Sequence, residues 1–350
     1  MKKAAIITIV SRNYGNRLQN FALQETLKKM GIYVETLPMR NGKGTPKEKA
    51  KYRIKLFLHY ATGAYADIAW EKFDNRIVWG KCLNDKTLQE LIARYDSFIA
   101  GSDQIWNPLF KINTDRELLT FVPSLKRIAY AASIGLSEFP EEHFEHYSSE
   151  WKKFHAISVR EDQAADIVQQ GTGNRPQVVL DPTMLLKKEE WEKILKPVRK
   201  HRKFYVSYFL GNHVAEYDAS IKKYVFEKNC DLVELTDNAG NINPNLGPAE
   251  FLGFLHDAQG VFTDSYHGTV FSILFQKPFL VYERATQKGY GNMNSRIDTL
   301  LNTFNLQEHK ISYSIDEKDM QTEWDLLAVE KVLNLKRSEA QAFLKQALDL

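Results

Sequence analysis

The sequence is poor in the residues and runs that define several protein classes. It has only two cysteines, Cys82 and Cys230, which lie far apart and form no C-x-x-C pair. This excludes a disulfide framework and a cysteine-ligated zinc site, and it favours a reducing compartment. No apolar stretch approaches the roughly 20 residues that a membrane-spanning helix needs.

The excess of one sign of charge over the other is also small. The 47 basic and 44 acidic side chains leave a formal net charge of +3, too little for a nucleic-acid coat, so we expect no nucleic-acid partner. Any functional positive charge must be local, in a site for an anion. There is no H-E-x-x-H or comparable ligand cluster, so no metal site is predicted, and the other histidines (for example His59, His143 and His146) are interpreted as surface residues.

What is present is typical of a globular protein larger than one core usually supports. The 350 residues are 43% hydrophobic and 26% charged, so two domains are expected. Ala4–Val10, the first apolar run, is too short for a signal peptide and is predicted to be a strand. The predicted location is therefore cytoplasmic.

Strand-like and helix-like runs alternate along most of the chain, which predicts an α/β fold with two Rossmann-like lobes facing each other across a central cleft. The predicted strands are Ala4–Val10, Ile32–Leu37, Ser97–Ala100, Arg127–Ala132, His155–Val159, Val178–Leu180, Phe204–Leu210, Asp231–Leu235, Gly260–Thr263 and Phe279–Tyr282. The first lobe spans residues 1–186, with a helical insertion at about 44–80. The second lobe spans 187–323, and a C-terminal helix at 324–350 is available to pack back on the first lobe.

Polar residues follow most of these strands directly, where ligands bind in open parallel sheets. The segments concerned are Ser11–Asn16, Gly101–Gln104, Arg160-Glu161, Asp181–Thr183 and Asp264–Gly268. Their hydroxyls, carboxylates, arginines and histidine can hold an anionic substrate and move protons. The first segment lacks the G-x-G-x-x-G spacing, so no dinucleotide site is predicted.

Three of these segments have a structural interpretation beside the functional one. Asp103 either contributes to a ligand site or caps a helix while Trp106 packs in the core. His267 opens a helix, where it can act on a phosphate or can be a buried neutral histidine. Arg160 can bind a carboxylate or phosphate, or it can pair with Glu161 or Asp162 on a solvated helix start, and Arg296 has the same ambiguity.

In order along the chain, these segments resemble the polysaccharide pyruvyl transferase family. The matching segments are Asn13–Asn16 with Leu18-Gln19 and Ala22–Gln24, Gly101–Asn107, Ser158–Glu161, Leu180–Thr183, Asp264–Gly268 and Asn294–Ile297. The resemblance covers nearly the whole chain outside the insertion and the C-terminal helix. It implies a GT-B-like fold and transfer of pyruvate from phosphoenolpyruvate onto two hydroxyls of a sugar, with no other cofactor.

The resemblance also implies site residues. Arg160 and His267 are associated with the anionic groups of the donor, and Asp103 is the candidate base for an acceptor hydroxyl, so these three are the predicted catalytic residues. The residues predicted to bind substrate are Asn13, Tyr14, Asn16, Gly101, Ser102, Gln104, Asp264, Ser265, Gly268 and Arg296. Ser265 stands where many members carry an arginine, so that cation is either missing or supplied by Arg296, Arg12 or Lys288.

Two other functions remain open: a GT-B glycosyltransferase that uses a nucleotide-sugar, and a non-catalytic glycan-binding relative. The expected acceptor is a sugar or a lipid-linked glycan. Basic, aromatic Lys47–Trp79 either rests on a membrane surface or covers the sheet, and the second interpretation is preferred. The oligomeric state cannot be predicted from the sequence.

Overall fold

The computed structural model describes residues 1–38, 65–110, 114–211, 214–237, 239–243, 245–284, 294–312, 315, 320 and 324–350. The chain divides into two compact units. The N-terminal unit comprises Met1–Leu186 and Lys336–Leu350, and the C-terminal unit comprises Lys187–Leu335. The part of the predicted insertion before residue 65 lies outside the described residues.

Within its described residues, the N-terminal unit contains one sheet of six parallel strands in the order β2-β1-β3-β4-β5-β6. The strands are β1 (Lys3–Ile7), β2 (Tyr33–Thr36), β3 (Ser97–Ala100), β4 (Arg127–Ala132), β5 (Ala156–Val159) and β6 (Gln177–Val178). The helices are α1 (Tyr14–Lys29), α2 (Tyr65–Asp74), α3 (Leu88–Arg94), α4 (Thr114–Glu117), α5 (Glu141–Trp151), α6 (Asp162–Thr172) and α7 (Pro182–Leu185).

The described part of the C-terminal unit also contains one parallel sheet, with five strands in the order β11-β10-β9-β7-β8. The strands are β7 (Phe204–Tyr208), β8 (Asp231–Glu234), β9 (Val261–Thr263), β10 (Phe279–Tyr282) and β11 (Lys310–Ile311). The helices are α8 (Lys188–Glu192), α9 (Ala215–Glu227), α10 (Pro248–Asp257), α11 (Tyr266–Leu274) and α12 (Ser295–Phe304).

The same reversal of strand order occurs in both sheets. In the N-terminal unit the chain runs from β1 outward to β2 and then crosses to β3 on the other side of β1. In the C-terminal unit it runs from β7 to β8 and then crosses to β9. Loops that leave the carboxyl ends of strands on either side of such a switch point diverge and form a crevice, so each unit has one favoured ligand-binding edge.

The apolar runs of the sequence form these strands because both sheet faces are buried. Ala4 to Ile7 of β1 are almost completely inaccessible, as is all of β4. A cluster of aromatic rings fills the N-terminal unit, where Trp106 packs on Trp151 at a centroid distance of 5.6 Å. In the C-terminal unit, Trp191 of α8 packs edge-on against Phe271 of α11 at 5.1 Å.

The chain ends in helix α13 (Leu326–Ala347), whose residues from Lys336 onward belong to the N-terminal unit. Arg337 donates from Nε to the Met184 carbonyl at 2.7 Å and from Nη2 to the Leu186 carbonyl at 2.9 Å. These bonds satisfy carbonyl groups at the end of α7, which the short helix leaves without internal partners. Among the described residues, none of the helices combines the length and hydropathy that a membrane crossing requires.

The predicted strands are present with limits that hold to within a few residues, but β11 (Lys310–Ile311) was not predicted. Helix α1 begins at Tyr14, inside the polar segment Ser11–Asn16 that follows β1. Asn13 caps it, because its side-chain oxygen accepts a hydrogen bond from Asn16 N at 3.3 Å. The second half of that polar segment is therefore the first turn of a helix.

Candidate active site

At the favoured ligand-binding edge of the N-terminal unit, buried polar side chains from three strand ends and from α1 lie close together. We call the following set the N-terminal cluster: Asn16, Ser102, Asp103, Arg160, Glu161 and Asp181. All were singled out from the sequence at strand ends, although Glu161 and Asp181 were not predicted as site residues. The fold brings them together because β1, β3, β5 and β6, the strands that precede these residues, end at the same side of one parallel sheet.

Arg160 is the centre of this cluster. Its side chain is fully buried, with Nη1 2.8 Å from Asp181 Oδ2, Nη2 3.5 Å from Asp103 Oδ1 and Nε 4.0 Å from Glu161 Oε2. The alternative that Arg160 pairs with Glu161 or Asp162 on a solvated helix start is wrong about the solvent, because the contact with Glu161 is buried, and Asp162 pairs with Arg175. One guanidinium and three carboxylates give the group a formal charge of −2.

Neutral donors compensate the excess negative charge. Asp181 Oδ1 accepts from Thr183 N at 2.9 Å and from Thr183 Oγ1 at 2.6 Å, and Asp181 Oδ2 accepts from Ser102 Oγ at 2.8 Å. Glu161 Oε1 accepts hydrogen bonds at 2.9 to 3.0 Å from Ser133 Oγ and from the Ile134 and Gly135 amides. Hydrogen bonds of this kind stabilise a buried carboxylate in its charged form.

Asp103 differs from the other two carboxylates in conformation and accessibility. Its φ is 71°, in the left-handed region that non-glycine residues seldom adopt and that costs about 1–3 kcal/mol when imposed by the surroundings. Oδ1 accepts from Gln104 N at 2.9 Å, and Oδ2 accepts from Asn16 Nδ2. Its side chain is 10% exposed, whereas those of Asp181 and Glu161 are 0% exposed. Asp103 is therefore the carboxylate of this group that a substrate can reach.

An irregularity in β4 supports this conformation. The register between β4 and β5 shifts between Ala129 and Ala132, and Ala131 has a φ of 49°. Ser158 Oγ donates to the Ala129 carbonyl at 3.1 Å and accepts from Ala131 N at 3.2 Å. The bulge directs the end of β4 toward Asp103, whose carbonyl accepts from Ser133 N at 2.9 Å.

The other predicted residues of this unit have mainly structural contacts. Tyr14 is fully buried and stacks on Trp70 of α2 at 5.5 Å. Gln104 Oε1 accepts from Asn107 Nδ2 at 2.8 Å. A Cβ at Gly101 would lie 3.2 Å from Ile6 Cγ2, a tight contact that a larger residue could make only if Ile6 moved slightly. The structural interpretation of the segment after β3 holds for Trp106, which is in the core, but Asp103 does not cap a helix among the described residues. The functional interpretation stays a prediction.

The favoured edge of the C-terminal unit has a second group, which we call the C-terminal cluster: Asp264, Ser265, His267, Arg284 and Asn294. Asp264 accepts from Leu210 N and Gly211 N, both at 2.7 Å, and so joins the ends of β7 and β9. Arg284, two residues after β10, donates from Nε to Asp264 Oδ2 at 3.2 Å and from Nη2 to the Asp264 carbonyl at 3.0 Å.

Helix α11 begins within this cluster. Ser265 is its N-cap, with Oγ accepting from Gly268 N at 3.4 Å, and its first turn contains no acidic residue. His267, in that first turn, is 7% exposed. Because backbone N–H groups and the helix dipole make this end of a helix electropositive, the position of Ser265 and His267 suits an anion.

Gly268 is required here by packing. A Cβ at this position would lie 2.5 Å from Thr263 Oγ1, which donates to the Tyr208 carbonyl at 2.6 Å and accepts from Ser265 N at 3.0 Å. We expect Gly268→Ala to displace Thr263 and lower the free energy of unfolding by about 1–3 kcal/mol, measured by urea denaturation. Thr303→Val on α12 removes a threonine hydroxyl that bonds only within its own helix and serves as the control. Equal stability of the Gly268→Ala variant and the wild-type protein would contradict this packing.

Near position 265 the structure has a further cation, Arg284, beside the three considered in the sequence analysis. Arg12 forms an ion pair with Asp67, and Lys288 lies outside the described residues. Arg296 is 5% exposed at the start of α12. Arg284 contacts the segment that carries Ser265 directly, and sequence reasoning missed it. The sequence contained the pattern that would have identified it, since Arg284 follows β10 as closely as the other site residues follow their strands.

His309 corrects the expectation that the remaining histidines are at the surface. It is buried, its Nδ1 lies 3.0 Å from the Phe279 carbonyl, and its ring stacks on Phe279 at 4.4 Å. Burial lowers the pKa of His309, so the ring is neutral at pH 7. In the described residues, no group of three or more His, Cys, Asp or Glu side chains is arranged to hold a metal ion.

Comparison with known families identifies the chain. The family model described as polysaccharide pyruvyl transferase matches residues 13–285, a range that contains every member of the N-terminal cluster and the C-terminal cluster as far as Arg284. The chain belongs to the polysaccharide pyruvyl transferase family. Arg296 lies outside the matched range. A search of curated protein sequences finds no match.

Solved structures resemble this pyruvyl transferase family member in fold alone. UDP-GlcNAc 2-epimerase from Neisseria meningitidis, bound to UDP-GlcNAc, is 12% identical with a TM-score of 0.53, covering 99% of both chains. UDP-N-acetylglucosamine 2-epimerase from Rickettsia bellii is 12% identical with a TM-score of 0.51, covering 100% of this chain and 97% of its own. These likenesses confirm the predicted α/β fold of GT-B type with two Rossmann-like units.

Proposed function

We propose that this family member transfers pyruvate from phosphoenolpyruvate to two hydroxyls of a glycan or glycan precursor and leaves a cyclic ketal. The observation that carries the proposal is the family match across residues 13–285, which includes a carboxylate-rich cluster in one unit and, in the other, a helix start beside Arg284. A reaction between an anionic donor and hydroxyl groups needs both kinds of site.

The chemistry sets the requirements for these groups. The methylene carbon of the donor takes up a proton, which makes the adjacent carbon electrophilic, and a sugar hydroxyl attacks that carbon. Phosphate leaves, and a second hydroxyl closes the ring. The two hydroxyls release two protons in all: one balances the proton added to the methylene carbon and the other leaves with phosphate. The protein must therefore neutralise a dianion, deliver one proton and accept another.

We assign the donor to the C-terminal cluster. The start of α11, where the helix dipole is positive, and the part-buried guanidinium of Arg284 both attract phosphate or carboxylate. His267, at the same helix start, is the group we assign to protonate the donor or to bind its phosphate. Ser265 and Gly268 carry no charge, and their part in this site is to form the backbone of the helix start.

We assign the acceptor to the N-terminal cluster, with Asp103 as the base for the attacking hydroxyl and with Asn13 orienting it. Ser102 was also expected to orient the hydroxyl, but it is 0% exposed and donates to Asp181, so it can act only through its neighbours. Arg160 was expected to bind the donor. Its guanidinium faces three carboxylates, so a direct donor contact requires that one of them be exchanged. The 3.5 Å contact to Asp103 is longer than the 2.8 Å bond to Asp181 and is the one we propose for that exchange.

Arg284 provides a direct test of the donor assignment. We expect Arg284→Ala to raise the KM for phosphoenolpyruvate by about 10- to 100-fold, since a hydrogen bond to a charged group contributes about 1.5–3 kcal/mol. Arg202→Ala, which removes an exposed arginine of the same unit that pairs with Asp231, is the matched control. An unchanged KM in Arg284→Ala would contradict the assignment of the donor to this cluster.

The function itself is tested by measuring phosphate release from phosphoenolpyruvate in the presence of a panel of glycan precursors, including lipid-linked ones. Acceptor-dependent release supports pyruvyl transfer. Absence of release with every acceptor, together with thermal stabilisation by UDP- or GDP-sugars, favours the nucleotide-sugar alternative. A ligand at 100 times its Kd stabilises the folded state by about 2.7 kcal/mol, which a thermal shift detects. The cytoplasmic location and peripheral membrane contact remain predictions.

A further inference from the structure

Asp181 belongs to the N-terminal cluster, and two other members of that cluster, Arg160 and Ser102, donate hydrogen bonds to it. Its Oδ2 accepts from Arg160 Nη1 and Ser102 Oγ, both at 2.8 Å. Its Oδ1 is held by the amide and hydroxyl of Thr183. With its side chain 0% exposed, Asp181 cannot touch a substrate, so any effect it has on the reaction must pass through its neighbours.

Asp181 and Asp103 compete for the same guanidinium. The separation from Arg160 is 2.8 Å for Asp181 and 3.5 Å for Asp103, so the buried partner holds Arg160 more closely than the accessible one does. Glu161 approaches Nε of Arg160 at 4.0 Å from the start of α6. These three carboxylates, contributed by the ends of β3 and β5 and by the start of α7, set the position of Arg160.

We propose that Asp181 is a positioning residue that holds Arg160 back from Asp103, so that the Asp103 carboxylate stays available to a substrate hydroxyl. A close ion pair with Arg160 would occupy Asp103 Oδ1 and make the carboxylate a weaker base. Asn16 already donates to Oδ2 of Asp103, and Gln104 N donates to Oδ1 at 2.9 Å, so a close contact with Arg160 would add a further donor to this carboxylate. Asp181 thereby sets the reactivity of Asp103 without contacting the substrate. This inference rests on the proposed function for its catalytic part, but its structural part does not depend on activity.

The first test is the crystal structure of Asp181→Asn. Asparagine keeps the shape of the side chain and an oxygen acceptor but removes the charge, so Asp103 becomes the stronger partner of Arg160. We expect the separation between Arg160 Nη2 and Asp103 Oδ1 to shorten from 3.5 Å to that of a direct ion pair. An Arg160 side chain that stays in place would overturn the inference, whether or not the enzyme releases phosphate from phosphoenolpyruvate.

The second test is a double-mutant cycle in which kcat and KM are measured for the wild-type protein, Asp181→Asn, Asp103→Asn and the double variant. We expect Asp181→Asn to lower kcat about 10- to 100-fold with little change in either KM. In the Asp103→Asn background it should have no further effect, because it acts through Asp103. A full additional loss in the double variant would identify a general structural defect and overturn the inference.

Thr183→Val is the matched control, because it removes a hydroxyl bonded to the same carboxylate and leaves the charge unchanged. We expect its kcat to stay within a few-fold of the wild-type value. If Asp181→Asn does not fold, Asp181→Glu replaces it in the cycle, since this change keeps the charge and moves it by one methylene group. If the wild-type protein releases no phosphate with any acceptor, the proposed function fails, and the crystal structure alone decides the inference.

Discussion

We expect His267→Ala to lower the rate of acceptor-dependent phosphate release from phosphoenolpyruvate by about 10²–10⁴-fold, the usual contribution of a general acid or base. His267 lies in the first turn of α11, where the helix start and Arg284 both attract an anion. Loss of its ring removes the group that we assign to protonate the donor or to bind its phosphate. Initial rates at saturating and limiting donor separate these two roles, since a lost proton donor lowers kcat and a lost phosphate ligand raises KM.

His256→Ala is the control for this variant. His256 belongs to the same unit but pairs with Asp257 and Glu192 away from the C-terminal cluster. Its replacement should leave phosphate release within a few-fold of the wild-type rate. Circular dichroism and melting temperature establish that both variants are folded. Activity of His267→Ala within a few-fold of wild type would remove His267 from the mechanism.

The second large effect is on stability, and it concerns Glu117 of α4. This side chain is 1% exposed and its Oε1 has no hydrogen-bond partner among the described residues. Burial raises the pKa of Glu117 from 4.5 to about 8, since no opposite charge compensates the loss of solvent. The folded protein therefore holds a proton on Glu117 at pH values where the unfolded chain has released it.

The sign of the effect follows from proton linkage. Between about pH 4.5 and pH 8 the folded state binds more protons than the unfolded state, so the free energy of unfolding falls as the pH rises through this range. We expect Glu117→Gln to abolish this fall and to stabilise the protein at pH 8 by on the order of 3–5 kcal/mol relative to wild type. At pH 5 the two proteins should differ little.

Urea denaturation at pH 5, 6.5 and 8 measures this difference. Glu145→Gln, a change at an exposed glutamate on α5, should follow the wild-type pH dependence. If the free energy of unfolding of Glu117→Gln decreases with pH as steeply as that of the wild-type protein, Glu117 is not the group responsible. The comparison needs no substrate, so it is independent of the proposed function.

The alternation of strands and helices was predictable from the sequence because buried parallel strands are continuous apolar runs. Ser97–Ala100, Arg127–Ala132 and Phe279–Tyr282 have the predicted limits. The start of α1 was not, since Asn13 suits a polar loop and a helix cap equally well until its bond to Asn16 N is seen. Sequence pattern alone also gives no sign that β4 is bulged or that Asp103 has a positive φ.

The strand ends that carry the clustered polar residues were predictable from the sequence, but the contacts of the individual side chains were not. Asp103 and Arg160 come together as the topology requires, yet the sequence could not show that Arg160 faces two further carboxylates. The charge balance of a cluster depends on side-chain distances, and these leave no periodic pattern in the sequence. Arg284 was missed for a simpler reason, because the segment after β10 was not among the polar strand ends considered.

The most direct measurement follows phosphoenolpyruvate labelled with ¹³C at its second carbon, by NMR, in a mixture of the protein and glycan precursors. The account predicts that the enol phosphate signal is replaced by that of a ketal carbon, with one phosphate released per ketal. The acceptor gains the mass of pyruvic acid less one water. Unchanged phosphoenolpyruvate with every acceptor, or its conversion to free pyruvate alone, would contradict the account.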